Sequence, residues 1–269
     1  MEFRTIVEIP EPGFRIGPCE RMLFVGSCFA DNIGARFREE GFPVVANPFG
    51  TMYNPVSIFH TIKRLKFIDS FKIVFLTLGT NHVYRLKETG EIVDNCEKRP
   101  ASLFNEEELS VDECAEYLTK AIILLRQENP DAHIVLTVSP IRYRKYGYHG
   151  SQVSKATLLL AVDKVFKNLC QSVAYFPAYE IVNDELRDYR FYAPDMLHTS
   201  QQTVDYIWER LVDTYFSPEA KTFLEEWRPL KQTLGHKAFD PESEAYKALM
   251  DKTMLKIEEL REKYPNFAL

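Results

Sequence analysis

The sequence contains no apolar run of about 18 residues, the length that a membrane-spanning helix needs, so we exclude a spanning segment. It has no Cys-x-x-Cys pair and no Cys/His spacing of the kind that binds zinc, and we expect neither a metal nor an organic cofactor. The chain carries a net charge of -6 and no cluster of Lys and Arg. A nucleic-acid partner normally requires a basic face, and we therefore expect no such partner.

Cysteine is also sparse, and its arrangement favours free thiols. The count of five is odd, and the positions are widely spaced: Cys19, Cys28, Cys96, Cys114 and Cys170. Such usage is typical of a reducing compartment. The residues at the N-terminus, Met1-Glu2-Phe3-Arg4, lack the basic start and apolar stretch of a secretory signal. We expect a cytoplasmic protein whose partner is a small molecule, while the oligomeric state stays open.

Short apolar runs alternate with helical patterns along most of the chain. Runs of the length and composition of buried strands lie at 21–26, 43–46, 72–78, 134–138 and 173–176. Apolar residues with helical spacing occupy 28–40, 55–65, 111–129, 153–172 and 200–216. This alternation predicts a five-stranded parallel sheet covered by helices on both faces, which is a three-layer α/β/α sandwich.

Three segments depart from the alternation. Residues 82–109 have the pattern of an inserted hairpin, and residues 141–150 form a polar, Tyr-rich loop. The charged helical tail offers Phe223, Trp227 and Leu230 as an apolar stripe that can dock. We predict one catalytic domain over 1–235, with a helical extension over 236–269 packed on it.

Ligands of open parallel sheets bind at the carboxyl ends of the strands, so the residues after each strand are the candidates for chemistry. Ser27 follows the first strand at a strand-to-helix turn, where its hydroxyl could act as a nucleophile beside backbone N–H groups that bind an oxyanion. Taken alone, a serine there is more often a helix N-cap, and Cys28 is a rival nucleophile. Gly50 after the second strand and Asn81 after the third could donate to an oxyanion, although each is also an ordinary turn residue.

Asp195 and His198 form a D-x-x-H sequence before the helix over 200–216. At this spacing the carboxylate can orient the imidazole, which can then take a proton from a nucleophile. The pattern is common by itself. Its weight comes from the ordered set of Ser, Gly, Asn and D-x-x-H at one edge of one sheet.

This ordered set resembles the SGNH (GDSL-like) hydrolase superfamily, and Phe24-Val25-Gly26-Ser27-Cys28-Phe29-Ala30 is similar to the motif of the GSCFA family. Further stretches are also similar to that family: Asn47-Pro48-Phe49-Gly50, Thr77-Leu78-Gly79-Thr80, Val93-Asp94-Asn95-Cys96, Ser154-Lys155-Ala156, and Tyr192-Ala193-Pro194-Asp195-Met196-Leu197-His198. The resemblance implies a flavodoxin-like SGNH hydrolase fold. It implies Ser27 as nucleophile, His198 as base and Asp195 as its orienting carboxylate. It also implies an oxyanion hole built from the N–H groups of Ser27 and Gly50 with the side chain of Asn81, and Asn54 or Asn95 could replace Asn81.

We therefore expect a serine ester hydrolase that forms an acyl-enzyme, with an O-acylated carbohydrate or another small acyl ester as substrate. Tyr84, Arg142, Tyr143 and Tyr146 lie in the inserted segment and the Tyr-rich loop and are candidate substrate contacts, together with Asn54 and Asn95. Acyl transfer to an alcohol in place of water is one alternative. A non-catalytic binding protein that retains the fold is another.

Overall fold

The computed structural model describes residues 1, 3–169, 173–237 and 239–269. The predicted α/β order holds along the chain, and the observed elements are β1 (Met22–Gly26), α1 (Cys28–Glu39), β2 (Val44–Ala46), α2 (Pro55–Arg64), β3 (Ile73–Leu78), β4 (His82–Leu86), β5 (Ile92–Val93), β6 (Phe104–Glu108), α3 (Val111–Glu128), β7 (His133–Val138), α4 (Gly147–Leu169), β8 (Val173–Tyr175), α5 (Ala178–Glu180), α6 (Gln201–Tyr215), α7 (Pro218–Gly235) and α8 (Glu244–Lys263).

The central sheet has five parallel strands in the order β2-β1-β3-β7-β8, which confirms the predicted sheet. The inner strands β1 and β3 are buried on both faces, and successive side chains enter opposite cores. In β1, Met22 and Phe24 join the core beneath α1, α6 and α7. Leu23 and Val25 join the core beneath α2, α3 and α4. Two cores separated by one sheet make the three-layer sandwich.

The segment after β3 forms a separate antiparallel sheet in the order β5-β4-β6. The hairpin pattern read from the sequence is therefore present, and this small sheet stands beside the carboxyl edge of the main sheet. Arg85 of β4 donates to both oxygens of Glu107 on β6 at 2.9 and 3.1 Å. This cross-strand ion pair supports the pairing of these two strands.

Helix α4 begins at Gly147, whereas the sequence predicted a loop through residue 150. Gly147 and Gly150 are weak helix formers, so local propensity alone favoured the loop. In the structure the Ser151 hydroxyl accepts a hydrogen bond from the Tyr143 amide at 3.1 Å, which holds this first turn. The predicted end of the helix at residue 172 and the thiol of Cys170 lie outside the described residues.

Helices α7 and α8 contribute to the same core as α1 and β1. Ile257, Leu260 and Phe267 are buried there. Phe267 packs against Trp227 with ring centroids 4.9 Å apart, and a side chain on Gly41 would overlap the Phe267 ring. The C-terminal segment is thus packed on the α/β sandwich through aromatic contacts. The division of the chain at residue 235 stays a prediction.

Candidate active site

The turn between β1 and α1 is shaped by Gly26. Its φ of 144° lies in a region that L residues rarely adopt, and a Cβ there would overlap the carbonyl oxygen of Thr77. The Gly26 amide donates to Asn47 Oδ1 at 2.8 Å. Only glycine fits this close approach of β1 and β3, so the chain turns sharply and α1 begins immediately after it.

Ser27 is the N-cap of α1 and is fully buried. Its Oγ accepts a hydrogen bond from the Phe29 amide at 3.3 Å and lies 3.4 Å from Thr77 Oγ1. Its own amide donates to the Thr77 carbonyl at 3.1 Å. The hydroxyl therefore caps α1 within the fold. This is the helix-cap role that the sequence offered as the alternative to a nucleophile. The catalytic role of Ser27 stays a prediction.

A cleft of about 600 Å³ opens at the carboxyl edge of the sheet, between the start of α1, the small antiparallel sheet and the loops over 141–146 and 193–198. The predicted substrate contacts all line it, and so do the predicted base and the rival nucleophile. The lining includes Cys28, Tyr53, Asn54, Thr80, His82, Tyr84, Asn95, Cys96, Arg142, Tyr143, Lys145, Tyr146 and His198.

Cys28 lies on the wall of this cleft, one residue after the buried Ser27. Its Sγ is 3.9 Å from the hydroxyl of Tyr53. Burial raises the pKa of the Cys28 thiol, and the contact with Tyr53 partly opposes this rise. Burial also raises the pKa of Tyr53 to about 12. Both groups are therefore protonated at neutral pH.

Asp195 and His198 form the pair that their spacing predicted. His198 Nδ1 lies 2.6 Å from Asp195 Oδ2, and Asp195 Oδ1 accepts from the amides of Leu197 at 2.9 Å and His198 at 3.0 Å. The side-chain hydrogen bond from His198, followed by these amides, holds the pKa of Asp195 well below its usual range. An ionised Asp195 fixes the Nδ1–H tautomer of His198, which leaves Nε2 as a proton acceptor.

The loop that carries this pair is tied to the Tyr-rich loop across the cleft. The Arg142 amide donates to the Leu197 carbonyl at 3.1 Å, and the Arg144 side chain donates to the Asp195 carbonyl at 3.2 Å. The His198 carbonyl accepts from the Ala193 amide at 2.8 Å, which closes the turn. These contacts position His198 in spite of its half-exposed side chain. Within the described ranges no hydrogen bond joins either His198 ring nitrogen to Ser27 Oγ.

The two residues predicted to complete the oxyanion hole lie outside the cleft lining. The Gly50 amide donates to the Asn47 carbonyl at 2.9 Å within an exposed turn. The side-chain amide of Asn81 donates to the Leu109 carbonyl at 2.7 Å and anchors the end of the inserted segment. The Gly50 amide and one hydrogen of the Asn81 amide are thus used within the fold, and the oxyanion role of the two residues stays a prediction.

Asn54 and Asn95 do line the cleft, although their side chains also hold the backbone. Asn54 Oδ1 caps α2 by accepting from the Ser57 amide at 2.9 Å, and its amide group donates to the His82 carbonyl at 3.1 Å. Asn95 Oδ1 accepts from the Glu97 amide at 2.8 Å. Asn54 keeps one amide hydrogen in addition, because a primary amide has two donors.

Sequence reasoning named Tyr143 as a substrate contact but missed the buried Lys155 beside it. The Tyr143 hydroxyl is buried beside Gly79 and has no hydrogen-bond partner among the described residues. Lys155 of α4 is buried, donates from Nζ to the Gly79 carbonyl at 2.6 Å and lies 5.1 Å from the centre of the Tyr143 ring. Burial lowers the pKa of Lys155 to about 7. A lysine on the inward stripe of α4 was the available signal.

The wall formed by the small antiparallel sheet carries a polar cluster. Lys145 donates to Glu106 at 2.8 Å and contacts the Tyr84 hydroxyl, and the ring of His82 stacks on Tyr146 at 3.5 Å between centroids. Burial lowers the pKa of His82. Burial raises the pKa of Glu106, but hydrogen bonds from Lys145 and Tyr84 outweigh it and leave the pKa below its usual range. The cluster joins the inserted segment to the Tyr-rich loop.

The described part of the chain contains no group of three or more His, Cys, Asp or Glu side chains arranged to hold a metal ion. It also contains no helix that is both long and apolar enough to cross a bilayer.

Comparisons with known proteins locate this fold. The family model described as "GSCFA family" matches residues 21–70 and 65–211, and the model described as "GSCFA domain protein, C-terminal domain" matches residues 227–269. No curated protein has a sequence that matches this chain. A Parabacteroides merdae protein, whose structure was solved as that of a GDSL-like lipase, has a TM-score of 0.51 and 9% identity, covering 76% of this chain and 99% of its own.

Two carbohydrate esterases are also similar in structure. A variant of an acetyl-xylooligosaccharide esterase from Geobacillus has a TM-score of 0.48 and 12% identity, with coverage of 75% of this chain and 96% of its own. A family 3 carbohydrate esterase from Talaromyces cellulolyticus has a TM-score of 0.42 and 11% identity, with coverage of 77% and 99%. Likeness at such identities concerns the fold alone. Because the family models match most of its residues, this chain belongs to the GSCFA family, and it shares its α/β fold with the GDSL-like hydrolases.

Proposed function

We propose that this protein hydrolyses acyl esters in the cleft at the carboxyl edge of the sheet, with His198 as general base and Asp195 as its orienting partner. The observation that carries the proposal is the 2.6 Å contact between His198 Nδ1 and Asp195 Oδ2 on the wall of that cleft. An imidazole held in this tautomer can take a proton from a nucleophile through Nε2 and return it to a leaving alcohol.

The nucleophile lies at the start of α1, where two candidates follow one another: the hydroxyl of Ser27, predicted from the sequence, and the thiol of Cys28. The positive end of the helix dipole is located there and favours the negative charge that develops on the acyl oxygen. Attack on the acyl carbon releases the alcohol and leaves an acyl-enzyme. Water activated by His198 then releases the acid.

Side chains in the cleft support a small, hydroxyl-rich substrate such as an O-acylated carbohydrate. Tyr84, Arg142 and Asn95 offer both donors and acceptors along the lining, and the Tyr53 and Tyr143 rings add apolar faces to it. Tyr53 and Tyr143 meet edge to face with centroids 6.0 Å apart. Sugar rings combine hydroxyl edges with apolar faces, so this mixture suits them.

A panel of 4-nitrophenyl esters and acetylated oligosaccharides, assayed with the full chain, tests the proposal. We expect hydrolysis of short acyl esters by the wild type, and a fall in kcat of about 10³-fold or more in His198→Gln. His149→Gln, an exposed position on α4, is the matched control and should keep wild-type activity. Release of acid in water distinguishes hydrolysis from acyl transfer, which would instead require an added alcohol acceptor.

A second histidine–carboxylate pair makes the test sharper. His60 Nδ1 lies 2.7 Å from Asp94 Oδ1, and Arg64 shares that carboxylate at 2.9 Å. His60→Gln should retain activity, because its ring lies outside the cleft lining. Loss of activity in His60→Gln with retention in His198→Gln would refute the assignment of the base. A wild type that binds acetylated sugars and hydrolyses none would instead favour the binding protein.

A further inference from the structure

We propose that the thiol of Cys28, and not the hydroxyl of Ser27, is the nucleophile of this site, so that the acyl group is carried as a thioester. The inference rests on the proposed ester hydrolase. It concerns which atom attacks, which neither the family assignment nor the similar structures settle.

The first argument is the different placement of two successive residues. Ser27 is fully buried, and its Oγ is held by the Phe29 amide and Thr77. Cys28 is the first residue of α1 and lines the cleft together with His198. Ser27 is the extended N-cap that precedes the helix, whereas Cys28 is its first residue, so the two successive side chains lie in different surroundings. Of the two candidate nucleophiles, Cys28 is therefore the one that shares the cleft with the proposed base.

The second argument is the protonation state of the resting thiol. Burial keeps Cys28 protonated, as the raised pKa shows. A protonated thiol needs a base to become nucleophilic, and the Nε2 acceptor of His198 in the same cleft supplies one. The N-terminus of α1, a helix of 12 residues, favours the thiolate as it forms.

The third argument is a source of oxyanion donors that the sequence did not indicate. The Tyr53 hydroxyl is 3.9 Å from Cys28 Sγ, and the buried Tyr143 hydroxyl has no partner among the described residues. A buried hydroxyl without a partner destabilises the fold, which points to a partner that arrives with the substrate. Burial raises the pKa of Tyr143 well above its usual value, so it remains a donor.

Gly79 makes room for this hydroxyl. A Cβ at residue 79 would overlap the Tyr143 hydroxyl and would lie 3.3 Å from Ser27 Cβ. The Tyr143 hydroxyl therefore stands at the corner between the end of β3 and the start of α1. Tyr53 and Tyr143 supply donors within the cleft, whereas Gly50 and Asn81 lie outside its lining.

The chemistry balances without a co-reactant other than water. His198 Nε2 takes the proton of Cys28, a bond forms between Sγ and the acyl carbon, and the C–O bond to the alcohol breaks as that oxygen receives the proton from His198. Water then gives its proton to His198, its oxygen bonds to the acyl carbon, and the C–S bond breaks. The thiolate recovers the proton and the acid leaves.

The experiment compares Cys28→Ala, Cys28→Ser and Ser27→Gly in the full chain. Glycine is itself a common N-cap residue and needs no side-chain space, so Ser27→Gly should fold. Cys96→Ser is the matched control, because Cys96 lines the same cleft. We expect ester hydrolysis to fall about 10³-fold or more in Cys28→Ala, and to stay within about tenfold of wild type in Ser27→Gly and Cys96→Ser.

Two readouts that do not depend on turnover complete the test. Rapid acid quench during hydrolysis of a 4-nitrophenyl ester, followed by peptide mass spectrometry, should place the acyl group on Cys28 as a hydroxylamine-labile thioester. Iodoacetamide should inactivate the wild type, and a fluorophosphonate should not label Ser27. Hydrolysis that survives Cys28→Ala but not Ser27→Gly, or an acyl group on Ser27, overturns the inference and leaves the proposed function intact. A wild type that yields neither product nor adduct overturns both.

Discussion

Lys155 is a buried amine beside the cleft, and it has no carboxylate partner among the described residues. Its side chain is 2% exposed, and its Nζ donates to the Gly79 carbonyl at 2.6 Å. Burial lowers its pKa from 10.5 to about 7. The difference, at about 1.4 kcal/mol for each pKa unit, corresponds to a penalty of about 5 kcal/mol on the charged form in the folded state, an upper bound since buried charges also recruit water.

The sign of the pH dependence follows from proton counting. Between pH 7 and pH 10.5 the unfolded chain binds a proton at Lys155 that the folded protein does not bind. The free energy of unfolding therefore rises with pH in this window, by up to about 1.4 kcal/mol for each pH unit from this group. Below pH 7 both the folded and the unfolded state bind the proton, and the penalty then lowers the free energy of unfolding by its full amount.

Lys155→Met removes the titrating group while it fills a similar volume. The gain in free energy of unfolding of this variant over wild type should be larger at pH 6.5 than at pH 8.5. The reason is that the penalty on the charged Lys155 of the wild type is greatest at low pH. Urea unfolding monitored at both pH values measures the difference. Lys164→Met, at a half-exposed position of the same helix, is the control and should show no such change. Equal slopes of stability against pH in wild type and Lys155→Met would refute the reasoning.

Three further predictions concern the turn, the C-terminal packing and the base. Gly26→Ala forces a Cβ into a backbone oxygen at a positive φ, and the free energy of unfolding should fall by about 3 kcal/mol or more, whereas Gly50→Ala, with open space around its Cβ, should cost about 1 kcal/mol in urea unfolding. Phe267→Ala removes a buried ring and should cost about 3–5 kcal/mol; an unchanged midpoint would mean that the C-terminal segment does not contribute to the core. Asp195→Asn should lower kcat about 10²- to 10⁴-fold with little change in KM for a short ester, because the tautomer of His198 is no longer fixed.

The sequence determined the scaffold because its signals are local. The apolar runs of β1 and β3, the helical spacing between them and the hairpin pattern after β3 each reflect burial that repeats along the chain. Parallel strands joined by helices bring their carboxyl ends to one edge, so the position of the cleft followed as well. The Asp195–His198 pair was also accessible, since both residues lie within one turn.

The tertiary structure decided which side chains reach the cleft. Ser27 and Cys28 are neighbours in the chain, but the turn at Gly26 buries the hydroxyl against β3 and leaves the thiol on the cleft wall. Asn81 was a sound candidate by position, yet its amide is taken by a carbonyl far along the chain. Such choices depend on contacts between elements distant in sequence.

The positions of Tyr143 and Lys155 also depend on contacts between distant elements. Nothing in the local pattern marks a tyrosine in a polar loop or a lysine on a long helix as neighbours of the first strand-to-helix turn. Packing of α4 over the end of β3 brings both to Gly79. The sequence by itself therefore determined the sheet, the edge at which the cleft lies and the Asp195–His198 pair. Only the tertiary structure decided which atoms of distant elements share that edge, because hydrogen bonding and burial there are settled between segments and not within them.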